Sequence, residues 1–254
     1  MWFLVGGVIL IIIIVICGLK CKQEPYKLKS MVNFLSLKQT KHLLNTDFDG
    51  YASSLNLANL KACGASDFPD LISKWSGSSM GWSEPLKEKI EQAIKLVQKA
   101  IDTRAIYLPP TAKQLTDIEW NLACTLHPYY LDGLPHTRGD IIFLTDKVIS
   151  QTSVKTLAGI LLHEKIHIWQ RKFPEDMKAW IAQKGFEATH RVFDDSLERS
   201  NPDTDGKVYK DSHGNYLGVK FTSTTPLDLF AVDYSPSKDH PYEQMAHEIQ
   251  KWIV

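Results

Sequence analysis

Apolar positions along this chain change period several times, and each change predicts an element. The first run, MWFLVGGVILIIIIVICGLKCK, has no polar face, and none of the 18 residues from Trp2 to Leu19 is charged. At about 1.5 Å per residue that length just spans a hydrocarbon core of roughly 30 Å. No basic region precedes the run and no small-x-small site follows it, so residues 1–19 read as a membrane anchor rather than a cleaved signal. Lys20, Lys22, Lys27 and Lys29 follow the span and nothing basic precedes it. That asymmetry predicts a single-pass protein with its C-terminal part on the cytoplasmic side. Residues 20–32 read as a basic linker.

From Asn33 to Trp75 apolar residues recur at helical spacing, broken by DFDG and CGASDFP, which predicts short helices in a small segment over residues 33–80. Beyond SGSSMGWSEP, Ser83 suits an N-cap and Pro85 a first turn. Behind them Leu86, Ile90, Ala93, Ile94, Val97 and Ile101 form one apolar stripe of a helix packed on a core. RAIYLPP reads as a strand stopped by two prolines, and LTDIEWNLACTL fits either a short helix or a strand. GDIIFLT is a β-prone run. A long helix is expected from about Thr152 to Lys172, with Pro174 as its stop. KVYKDSHGNYLGVKF reads as two strands around a turn at residues 213–215, and HPYEQMAHEIQKWIV as a helix opened by Pro241. The pattern predicts an α+β domain over residues 81–254.

Charge changes this picture little. Lysine plus arginine equals aspartate plus glutamate in 254 residues, so the formal net charge is zero and no basic footprint for nucleic acid is present. Cys17, Cys21, Cys63 and Cys124 suggest no disulfide framework, although the first two could be acylated beside a membrane.

Chemistry concentrates in LAGILLHEKIHIWQRKF. At about 100° per residue, His163 and His167 share a helical face, offset by roughly 40°. Two imidazoles so placed can converge on one zinc ion, which accepts nitrogen ligands and tetrahedral coordination. Glu164 points roughly 100° away from His163, bordering the site without being a ligand, as a general base requires. Val154, Leu157, Leu161, Leu162, Ile166, Ile168, Trp169 and Phe173 cover most of the helix circumference. Such a helix is buried, and buried histidines and glutamate need partners.

HEKIH on a buried helix resembles the HExxH zinc metallopeptidases, the zincins. The resemblance implies an antiparallel edge strand that pairs with an extended substrate, for which residues 140–145 are the natural candidate. The metzincin branch, HExxHxxGxxH, is excluded because Gln170 and Phe173 stand at its glycine and third-histidine positions. The gluzincin branch takes a third ligand from a glutamate on a later helix, commonly Glu-x-x-Ala. Glu243 with Ala246 matches that setting, and a hairpin insertion over residues 207–221 accounts for the long gap from His167. His190, Glu187 and Glu248 compete for the role. Gluzincins often carry an acidic residue four after the ligand glutamate; His247 stands there instead. The overall layout also resembles membrane-anchored metallopeptidases of large DNA viruses, which implies a viral or virion membrane.

The resemblance implies one Zn2+ per chain held by His163, His167 and Glu243, with Glu164 as the catalytic base of peptide or protein hydrolysis. An oxyanion donor is expected among Tyr209, His213, Tyr216, Tyr234 and His240, and PHTRGD (135–140) could position substrate. Two other readings stay open: a membrane-anchored binding protein with a zinc-stapled core and no turnover, and a helix that serves as scaffold alone.

Overall fold

The computed structural model describes residues 32–104, 110–128, 130–192 and 197–253. Of these, Val32 onward forms one compact α+β unit that runs to the C-terminus. One expectation is corrected at once. No helix among the described residues is long and apolar enough to cross a membrane. The anchor over residues 1–19 lies outside the described residues, so the single-pass topology drawn from it is withdrawn. The strand read in RAIYLPP falls on residues 105–109, also outside them.

The chain enters through β1 (Val32–Phe34), then three helices: α1 (Leu37–Thr46), α2 (Leu57–Ala62) and α3 (Phe68–Gly77). Ser36 and Gln39 cap α1 reciprocally, Asn56 caps α2, and Asp67 caps α3 ahead of Pro69. β1 was not expected, because a three-residue strand has no periodicity of its own. After β2 (Ser79–Met80), α4 (Glu84–Arg104) buries Ile90, Ala93, Ile94, Val97 and Ile101 of the predicted stripe and leaves Leu86 half-buried. The undecided stretch resolves into both forms, a short α5 (Ala112–Thr116) and a strand β3 (Trp120–Thr125).

β3 is the sheet's centre. It pairs in parallel with β5 (Ile141–Thr145) on one edge, while β1 and β2 share the other. β4 (His136–Arg138) lies antiparallel to β5, through a tight turn in which Gly139 takes φ +61°. The expected edge strand, residues 140–145, is therefore an interior strand, and β4 holds the edge. Two-sided burial explains this: Ile142, Phe143 and Leu144 are all at most 1% exposed. Arg138, in PHTRGD, is likewise no surface residue; its guanidinium is buried against Asp47 and Asp49.

After α6 (Asp146–Gln151), the long helix α7 (Val154–Lys172) is capped by Ser153, which accepts from Thr156 N at 3.0 Å. It is buried nearly all round, as its composition predicts, with α4 and α9 (Pro241–Gln250) packed against it. Pro174 ends α7 but also opens α8 (Pro174–Gln183), where its missing N–H costs nothing. A small sheet follows: β6 (Glu187–Val192), β7 (Lys207–Lys210) and β8 (Tyr216–Leu217), where the hairpin turn expected at residues 213–215 takes in residues 211–215. β9 (Lys220–Phe221) and β10 (Val232–Asp233) form a second pair.

Candidate metal centre

Three segments meet at the middle of α7. That helix supplies His163, Glu164 and His167; α9 supplies Glu243 and His247; the segment before β7 supplies Asn201 and Asp203. α9 is aimed by Pro241 in its first turn and by His240, whose Nδ1 accepts from Tyr242 N at 3.2 Å. This sets Glu243 in the first turn, facing α7.

His163 Nε2 lies 3.1 Å from Glu243 Oε2, and His167 Nε2 lies 3.6 Å from Glu243 Oε1. Ligands at 2.0–2.1 Å around a tetrahedral ion stand about 3.3 Å apart, so these separations are those of atoms able to share one cation. The two imidazole centroids are 4.7 Å apart and steeply inclined. His167 is locked: its Nδ1 donates to Gln170 Oε1 at 2.9 Å, and Gln170 Nε2 donates to Tyr242 O at 2.8 Å. Because the glutamine nitrogen is committed to a carbonyl, its oxygen must face the imidazole. The ring proton then sits on Nδ1, leaving Nε2 a bare lone pair. Asn201 Nδ2 donates to Glu243 Oε1 at 2.6 Å and fixes that carboxylate.

The donor set fits a metal ion. His167 Nε2 and Glu164 Oε2 are buried and have no hydrogen-bond partner among the described residues, a condition native interiors seldom tolerate. Two groups there have the spacing of a metal site, His163–Glu243–His247 and Glu164–His167–Asp203, each with ligand atoms within 4.8 Å of one another. The electrostatics agree. Burial pushes His163 down, but the hydrogen bond and charge of Glu243 more than reverse this, lifting it to about 9. Burial raises Glu243, yet the two imidazoles hold it well below the usual carboxylate range. Glu164 is driven well above that range by burial and then by the Asp203 charge. Burial lowers His167.

The structure thus brings together His163, Glu164, His167 and Glu243. Two rival ligands stay outside the site: Glu248 pairs with Lys184 at 2.8 Å, and Glu187 lies exposed on β6, while the side chain of His190 falls outside the described residues. Of the five oxyanion candidates, Tyr234 alone lines the same cleft as His163, Glu164 and Glu243, a space of about 540 Å³. Its hydroxyl is 3.3 Å from His247 Nε2. Tyr209 donates to Asp205, His240 caps α9, and His213 and Tyr216 are exposed on the β7–β8 hairpin.

Sequence reasoning passed over Gln170, Asn201, Asp203 and His247 as site residues. Helical spacing signals two of them, since Gln170 follows His167 by three and His247 follows Glu243 by four. Asn201 and Asp203 lie in an irregular segment that carries no period. No protein-family model, curated protein or solved structure matches this chain.

Proposed function

We propose that this chain is a zinc-dependent peptidase of the HExxH, gluzincin-like kind, in which His163, His167 and Glu243 hold the ion. One observation carries the reading: two imidazoles one turn apart on α7 face one carboxylate from α9, with a partnerless nitrogen lone pair among them. A zinc ion in that setting supplies a Lewis acid for the scissile carbonyl and lowers the pKa of water toward neutrality.

The chain's own residues do the rest. Glu164 accepts a proton from the attacking water as its oxygen bonds to the carbonyl carbon. Glu164 then returns that proton to the leaving nitrogen as the C–N bond breaks, giving a carboxylic acid and an amine. Tyr234, its hydroxyl oxygen accepting from His247 Nε2 at the cleft, keeps its own O–H free as the donor for the oxyanion. Leu131, Leu134, Pro135, Phe230 and Val232 give the cleft an apolar wall for a substrate side chain.

Metal analysis of the purified protein is expected to give one zinc per chain, lost in His163→Ala. Glu164→Gln is expected to keep zinc while peptide hydrolysis falls about 10²–10⁴-fold. A protein that retains no zinc removes this reading. Zinc retained without cleavage of any member of a broad peptide library replaces it with a zinc-stapled structural core.

A further inference from the structure

Residues 198–206 enter the centre from outside the two ligand helices, and their anchoring is unusually complete. Asn59 on α2 holds the segment from both sides, donating to Glu198 O at 2.9 Å and accepting from Ser200 N at 2.8 Å. Asn201 then bridges inward: its Nδ2 reaches Glu243, and its Oδ1 accepts from Asp203 N at 2.9 Å. Asp203, only 4% exposed, accepts from Thr137 N at 2.8 Å and from the Thr137 hydroxyl.

That position carries two consequences. First, Asp203, Glu164 and His167 have ligand atoms within 4.8 Å of one another. The Arg171 guanidinium stands near both carboxylates, but it bonds Gly139 O and the Thr137 hydroxyl and leaves Glu164 Oε2 and His167 Nε2 partnerless. A carboxylate is a good zinc ligand, and Asp203 shares the neighbourhood of His167, one of the three ligands proposed above. Second, the Thr137 N–H is an outward-facing donor of the edge strand β4, the group an extended peptide would use to add a strand. Asp203 already occupies it, and two residues on, Gly139 O accepts from Arg171 Nε at 2.9 Å.

We propose that Asp203 is a fourth protein ligand of the metal centre, so that segment 198–206 plugs both the open coordination position and the β4 edge. The inference rests on the zinc reading above. With four protein ligands the centre is closed; turnover requires the plug to withdraw, and substrate competes with Asp203 for the same two sites. The occupied chain is thereby a slow enzyme.

The test loads the full chain with Co2+ and follows its visible d–d absorption during titration with acetohydroxamate. Wild type is compared with Asp203→Asn, which keeps an acceptor for Thr137 N–H but loses the anionic ligand, and with Asp203→Ala. Both variants are expected to show an altered cobalt spectrum before any addition, to bind acetohydroxamate about tenfold tighter or more, and to hydrolyse peptides faster by a similar factor. Unchanged spectra and unchanged acetohydroxamate affinity, with one Co2+ bound in every protein, overturn the proposal and leave the zinc reading standing. A wild type that binds no Co2+ overturns the metal centre itself, a result plainly distinct from the first. Asp203→Asn is close to isosteric, so the comparison survives even if Asp203→Ala fails to fold.

Discussion

Behaviour at the centre is decided at the residue scale by the proton on His163. In the metal-free chain its pKa rises from 6.5 to about 9, because the Glu243 bond and charge outweigh the opposing effect of burial. A raised folded-state pKa means the pair's stabilisation is fully present below about 6.5 and is lost as pH climbs through about 9. Glu243 has the opposite sign: its pKa is lowered, so its contribution holds above the ordinary 4.5 and fades as pH falls. The His163 contribution is therefore expected to shrink from pH 6.5 to pH 9, read as a falling difference in melting temperature between the metal-free wild type and His163→Ala. On the proposed zinc reading, metal loading displaces the His163 proton, so apparent affinity is expected to rise about tenfold per pH unit between pH 7 and 9. Calorimetric titration in two buffers of different ionisation heat counts the released proton, and a pH-independent affinity would refute this account. Much of this chemistry was legible in the sequence. His163, Glu164 and His167 follow from i,i+1 and i,i+4 geometry, whereas Glu243 came only from the resemblance to gluzincins, through its Glu-x-x-Ala setting with Ala246. Asp203 was not legible, since its approach depends on Thr137 and Asn201, which no local spacing connects to α7.

Elements differ in how much of themselves they announce. The helices α4 and α7 and the hairpin of β7 and β8 were readable because each is long enough, or has turn residues distinct enough, to display its own period. β1 and β4 were not, being three residues each and defined only by the strands they meet. The edge was misassigned to β5 for the same reason: a strand's neighbours are a property of the sheet, not of its sequence. α7 also hides a charge that its pattern did not flag. Lys165, opposite the metal face, places its Nζ 3.9 Å from the Trp120 ring centroid and 2.5 Å from Ile118 O. Burial, with a lesser push from Lys172, brings its pKa from 10.5 down to about 7. Between those values the unfolded chain's Lys165 binds more protons than the folded one's, so this residue's contribution to stability rises with pH across that window. Lys165→Met keeps the volume and removes the ionisation penalty, at the cost of the bond to Ile118 O. It is expected to stabilise the protein by about 1–4 kcal/mol at pH 7, with the gain shrinking toward pH 10. Urea unfolding at the two pH values measures it; a pH-independent difference would show that the ammonium is not desolvated in the fold.

For the whole molecule, the question is whether the N-terminal helices are an appendage or part of the body that holds the centre. Trp75 of α3 is 1% exposed and lies edge-on to Tyr130 at 5.0 Å between centroids, with Tyr51 stacked on it at 6.2 Å. The same apolar cluster runs from Leu44 and Leu71 through Ala123 of β3 and Phe143 of β5 to Phe221 and Leu229. Residues 33–80 thus share their core with the strands that lead into α7, and Asn59 ties them to the segment bearing Asp203. Trp75→Ala should cost about 3–5 kcal/mol, the usual effect of emptying a large aromatic site. Because the cluster spans the body, that loss is expected to appear as a single shifted transition, not as early melting of the N-terminal helices alone. Helicity and release of bound metal, followed in one denaturant titration, should move together to the lower midpoint. If metal stays bound while part of the helical signal is lost first, the helices are a separate cooperative unit. The plug would then be anchored to an element that can detach without dismantling the centre.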